Sequence, residues 1–159
     1  MKRLLVLLLC TSAVFLSCKD NQIGSALTSA EISMNDNPES SLEILESIDR
    51  DLLSTRKQKA KFALLYSMAL DKNYIDIKTD SIIAPAVIYY ENHGAKEERF
   101  LCNYYHARIY ENCGDKENAL LCAIKAESVD TSKVSSQSKY LLYALKGRIY
   151  QQEWRFHES

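Results

Sequence analysis

Residues 107–128, ARIYENCGDKENALLCAIKAES, decide the fold. Gly114-Asp115 divides the stretch into two segments, each with its apolar residues at helical spacing, as in two helices joined by a tight turn. The tripeptide Arg108-Ile109-Tyr110 returns forty residues later as Arg148-Ile149-Tyr150, behind Gly147 where the first copy has Ala107. Laid over residues 140–159, residues 100–119 pair Phe100 with Tyr140, Leu101 with Leu141, Ile109 with Ile149 and Ala119 with Ser159. A period of 38 to 40 residues also brings Ala69 into register with Ala107. Repetition at such a period signals hairpins that cannot bury their apolar faces alone and therefore stack.

The rest of the chain agrees. It has 159 residues, 47% hydrophobic and 26% charged, enough for one domain with a real core. Four glycines and two prolines are too few for a turn-rich β fold. The net charge of −1 gives no large field for nucleic acid, and removal of Lys2 and Arg3 with a leader would take it to about −3.

The N-terminus reads as an export signal. Lys2 and Arg3 precede an apolar run from Leu4 to Leu16, shorter than the roughly 20 residues a spanning helix requires. Phe15-Leu16-Ser17-Cys18 resembles the lipobox of bacterial lipoproteins, in which the cysteine is acylated and becomes the new N-terminus; Phe15 stands where leucine is usual. The expectation is a signal peptide over 1–17, a lipid-anchored polar tether over 18–27 attached at Cys18, and a helical domain over 28–159. Lys19-Asp20 sets no acidic residue directly after the cysteine, which favours the outer membrane and leaves the face undecided.

Helical spacing predicts a short helix carrying Leu27 and Ile32 and ending near Asn35. Asn37-Pro38-Glu39 opens the next, with Asn37 as cap and Pro38 at the first position, and Leu42, Leu45 and Ile48 line its inner face. Arg56 to Lys72 follows, holding Phe62, Leu65, Tyr66, Met68 and Ala69. Asp80 is read as the cap of a helix that Pro85 kinks and His93-Gly94 closes. Arg99 to Asn112, Glu117 to Ser128 and Ser138 to Gln152 complete seven helices. Tyr89, Tyr105, Tyr110 and Tyr150 are the expected core tyrosines.

Ala107, Tyr110, Gly114-Asp115, Ala119 and Ala126 together resemble the tetratricopeptide repeat, in which small residues let two helices approach and an aromatic fills the space beside them. Ala123 and Thr131 depart from the pattern, and the repeats exceed the usual roughly 34 residues through extra loop at Asp76 to Asp80 and Asp130 to Ser136. Earlier repeats at 28–50, with Ser29 and Ser41 as small residues, and at 62–93 match less closely. The resemblance covers about 130 residues and extends to bacterial lipoproteins whose exported half is such an array. It implies an all-α, right-handed stack of antiparallel hairpins, about three and a half repeats long, truncated as Phe156 begins a new helix.

The same resemblance implies a groove on the first helix of each pair, lined by Tyr66, Leu70 and Tyr74, by Tyr104, Arg108 and Asn112, and by Arg148, Gln151 and Gln152. Tyrosine and arginine make interface hot spots, and two arginines at one height would meet an acidic group on an extended peptide. Glu111 and Glu153 are their internal competitors. His93, His106 and His157 form no catalytic motif, and neither a phosphate loop nor a nucleophile elbow is present, so no enzyme and no cofactor is expected. Cys102 and His106, four apart on one helix, with Cys113 and Cys122 nearby, lack a paired-cysteine spacing; buried thiols are expected there, with no metal and no bridge assigned. The expected function is capture of a protein or peptide by a lipid-anchored scaffold, with no small-molecule ligand. A sensor portion of a membrane-bound regulator and a glycan-binding lipoprotein are the alternatives.

Overall fold

A computed structural model describes the backbone over residues 21–157, with the side chains of Thr131 and of residues 152–157 left undescribed. The expected signal peptide and Cys18 lie outside the described residues. Among those described there are seven helices and no strand: α1 (21–33), α2 (Pro38–Glu46), α3 (Arg56–Lys72), α4 (Ala84–Tyr90), α5 (Lys96–Asn112), α6 (Lys116–Ser128) and α7 (Ser136–His157). Single 3-10 turns at Arg50–Leu52 and Thr131–Lys133 precede α3 and α7.

Local chemistry fixes the boundaries. Asn37 accepts a hydrogen bond from the Ser40 amide at 3.1 Å, and Pro38 occupies a first-turn position where its missing N–H costs nothing. Thr55 and Gln58 cap α3 reciprocally: the Gln58 amide donates to Thr55 Oγ1 and the Thr55 amide to Gln58 Oε1, each at 3.1 Å. Asp115 accepts from the Asn118 amide at 3.1 Å and starts α6. The turn before it needs Gly114, whose φ is +74°. Gly94 is bound more tightly still: its φ is +82°, and a Cβ there would stand 2.6 Å from the Tyr90 ring.

Four expectations are corrected. The segment expected as a tether is helical from residue 21, because Ile23 and Leu27 are buried against α2 and α3 and give it a face to hold. Ile32 points outward at 75% exposed, and the small buried residue of α1 is Ala30, whose carbonyl accepts from the Ser41 hydroxyl at 2.9 Å; Ser29 is exposed. Asp80 caps no helix: residues 80–83 form a turn, the Ala84 amide donates to the Asp80 carbonyl at 2.9 Å, and α4 begins at Ala84. Pro85 therefore lies in the first turn and introduces no kink. Last, α7 continues through Phe156 to His157. The position matching Gly114 is Trp154, which has no glycine freedom to reverse the chain, so no second helix opens there.

From α2 to α7 each helix packs on the next in the chain. Ala107, Ala119, Ala123 and Ala126 all have 0% exposure, so α5 and α6 lie close along their lengths and form the most extensive helix pair. Helix α5 also rests on α3 and α4, and α7 on α5 and α6. One core joins α3 through α7 around Phe100, Ile109, Leu142, Leu145 and Ile149; a second joins α1, α2 and α3 around Leu27, Leu45, Phe62 and Leu65. Helix α3 belongs to both and is buried on most sides. Cross-links set direction: Glu97 near the start of α5 accepts from the Ser138 hydroxyl of α7 at 2.9 Å, while Glu111 near its end accepts from Arg148 at 2.9 Å. Thus α5 and α7 run parallel.

Candidate functional site

The parallel helices α3, α5 and α7 present one face with two unlike halves. Beside the starts of α5 and α7, two adjoining hollows of about 280 and 240 Å³ share Asn35, Met68, Glu97 and Leu101 as walls. Leu64 and Leu65 extend the apolar floor on α3, Tyr105 on α5 and Leu141 on α7. Three carboxylates border the first hollow: Glu31, Glu97 and Glu98. Glu31 is bridged by Lys61 at 2.6 Å, and Glu97 receives the Ser135 amide at 3.1 Å as well as the Ser138 hydroxyl. One oxygen of Glu98 is buried with no hydrogen-bond partner among the described residues. The single lining cation, Lys72, borders the second hollow.

The C-terminal half is closed by an ionic ladder. Arg108 donates Nε to Asp71 Oδ1 at 2.9 Å, sets Nη2 at 2.8 Å from the same oxygen, and bonds Glu111 through Nη1. Arg148 grips both oxygens of Glu111, at 2.9 and 3.1 Å. Burial opposes the charge on Arg108, but Asp71 and Glu111 overcome it and hold the guanidinium more firmly charged than usual. Tyr104 lies beneath the ladder, 4% exposed, and burial reinforced by the Asp71 charge pushes its hydroxyl up to about 12.

The residues expected to line a groove are therefore divided. Tyr104, Arg108 and Arg148 come together, but Tyr104 and Leu70 belong to the core and both arginines are engaged internally. Arg108 is held in place by two carboxylates, which neutralise the charge a ligand would need. Tyr66 stacks on Phe62 at 5.4 Å with the Arg50 guanidinium 4.9 Å from its ring, and Tyr74 is 94% exposed with φ +59° in the loop after α3. Asn112 is half-buried and Gln151 exposed; the side chain of Gln152 lies outside the described residues. Among the tyrosines, Tyr90, Tyr104 and Tyr105 are buried, while Tyr89 and Tyr110 are half-buried and Tyr150 is 49% exposed. Sequence reasoning missed Asp71 and the apolar floor. A signal for Asp71 existed, since it precedes Arg108 by 37 residues just as Glu111 precedes Arg148 by 37.

The sulfur and imidazole groups do not converge. Cys102 and Cys122 are buried free thiols raised by desolvation, and Cys113 is exposed and free. His106 lies against Tyr110, ring to ring at 4.7 Å, with burial lowering its pKa. Among the described residues no group of three or more His, Cys, Asp or Glu side chains could hold a metal ion, and no helix is long and apolar enough to cross a membrane.

No family model matches the chain, and no curated protein or solved structure matches it.

Proposed function

We propose that this chain is a helical-repeat scaffold of the tetratricopeptide kind, exported and anchored through Cys18, that captures a peptide segment of a protein partner without covalent chemistry. The parallel course of α5 and α7, the fully buried alanines of α5 and α6 and the recurrent 37-residue ion pairs support the repeat reading. The observation that carries the binding role is the open hollow across α1, α3, α5 and α7, floored by Leu64, Met68, Leu101 and Leu141. Leucine and methionine floors adapt to apolar side chains, and parallel helices offer a track along which an extended or helical segment lies.

The ionic ladder changes the chemistry of the partner. An acidic peptide would have to compete with Asp71 and Glu111 for arginines already paired. Along the open half Glu31 is bridged by Lys61, but Glu97 holds no cation and Glu98 keeps an oxygen without a partner among the described residues, so charge complementarity selects a segment joining apolar residues to lysine or arginine. Selection of a displayed random peptide library on the chain is expected to enrich Leu, Met or Phe next to Lys or Arg. Leu101→Glu should abolish capture, and Glu98→Lys should reverse the preferred charge. Enrichment of acidic peptides, or capture indifferent to Leu101→Glu, overturns the assignment. The anchor is tested separately: Cys18→Ser should release the protein from the membrane fraction.

A further inference from the structure

Helix α5 has a second stripe, half-buried and lined by residues that the groove does not use. Arg99, Cys102 and Asn103 form the floor of a cleft of about 430 Å³ whose walls are the C-terminal ends of α4 and α6. The cleft exists because α4 has only seven residues and stops at Tyr90, while α6 runs thirteen. Its lining differs from that of the groove in sign. Arg99 uses Nε to satisfy the Tyr90 carbonyl at 3.2 Å, and the rest of its guanidinium meets no acceptor among the described residues. The Lys125 ammonium, on the opposite wall, has neither a hydrogen bond nor an ion pair among the described residues, while its carbonyl accepts from the Ser128 hydroxyl at 2.8 Å. Glu91 shares the cleft and bonds to neither cation. Elsewhere Lys61, Lys96, Arg108, Lys146 and Arg148 all hold carboxylates. Val87 and Val129 add apolar wall.

We propose that this cleft binds a small organic anion, a carboxylate on a short apolar body. The carboxylate sits between Arg99 and Lys125, where a charge-assisted hydrogen bond to each replaces the solvent they now face. The Asn103 amide donates one proton to the Arg99 carbonyl at 2.8 Å and keeps a second for the ligand. The apolar body covers Val87 and Val129. The volume lies within the roughly 300–1,000 Å³ of small-molecule sites. This site shares no wall residue with the groove, so it stands whether or not the groove holds a peptide.

Calorimetric titration of the full chain with octanoate, 3-phenylpropanoate and uncharged octan-1-ol tests it. The two acids should bind at least tenfold more tightly than the alcohol, and Arg99→Gln and Lys125→Gln should each weaken them roughly tenfold. Asn103→Asp, which sets a negative charge on the floor and spares the core, should do the same, and serves if a cation variant loses its helical circular dichroism. Equal binding of acid and alcohol, failure of both acids to bind, or unchanged affinity in the variants overturns the proposal. A lower melting temperature in Arg99→Gln and Lys125→Gln with no acid binding to the parent chain would assign the two cations to the carbonyl ends of α4 and α6 instead.

Discussion

The two copies of Arg-Ile-Tyr begin alike and end differently. In α5, Ala107 has 0% exposure, Arg108 holds two carboxylates and Tyr110 is half-buried on His106. In α7, a Cβ on Gly147 would meet nothing within 4 Å beyond its chain neighbours and its own helix backbone, Arg148 is 45% exposed on one carboxylate, and Tyr150 is 49% exposed. Only the isoleucines match, at 2% and 1% exposure. Helix α5 is packed by α3 and α4 on one side and by α6 and α7 on the other, whereas the main contacts of α7 are with α5 and α6 alone. The tripeptide supplies the face that meets the preceding helices; the environment of everything else in it depends on what packs next.

The largest expected effect tests what the copies share. Ile109→Ala should cost about 4 kcal/mol in chemical denaturation and Ile149→Ala about 2–3, because α7 can settle into the space left while α5 is held on both sides. Equal costs would break the comparison. Cutting the link between the copies comes next: Glu111→Ala leaves Arg148 with no carboxylate and Arg108 with Asp71 alone, and should cost about 1–2 kcal/mol, mostly through the less exposed Arg108, since solvent screens Arg148. A loss that vanishes in high salt would show the ladder to be a surface feature. The smallest effect has opposite signs in the two places. Gly147→Ala should stabilise by about 0.5–1 kcal/mol because the site is open and helical, while Ala107→Gly should destabilise by at least that much; thermal melts of the pair measure both.

Much of the fold was legible in the residues. The limits of α3, the cap Asn37 and the turn glycines Gly94 and Gly114 act within a few positions of themselves, so short-range patterns report them. The start of α4 was not legible, because Pro85 suits either a kink or a first turn and the choice rests on how residues 80–83 pack. The candidate site was read less well. Placing Arg108 and Arg148 at one height was correct, and Glu111 was visible as a competitor, but Asp71 comes from another hairpin. A helical pattern says which face a residue is on and leaves open which distant charge reaches it first. The cationic cleft was equally hidden, since it arises from the shortness of α4 and not from any motif.

The contact pattern also bears on how the chain acquires its shape. The main helix contacts join elements one or two places apart in sequence, from α2 with α3 to α5 with α7. Such a chain closes only small loops as it assembles, which places it among fast folders. Amide hydrogen exchange should then grade along the molecule, slowest where α3 joins both cores and faster toward α7, so that an end can open while the middle stays shut.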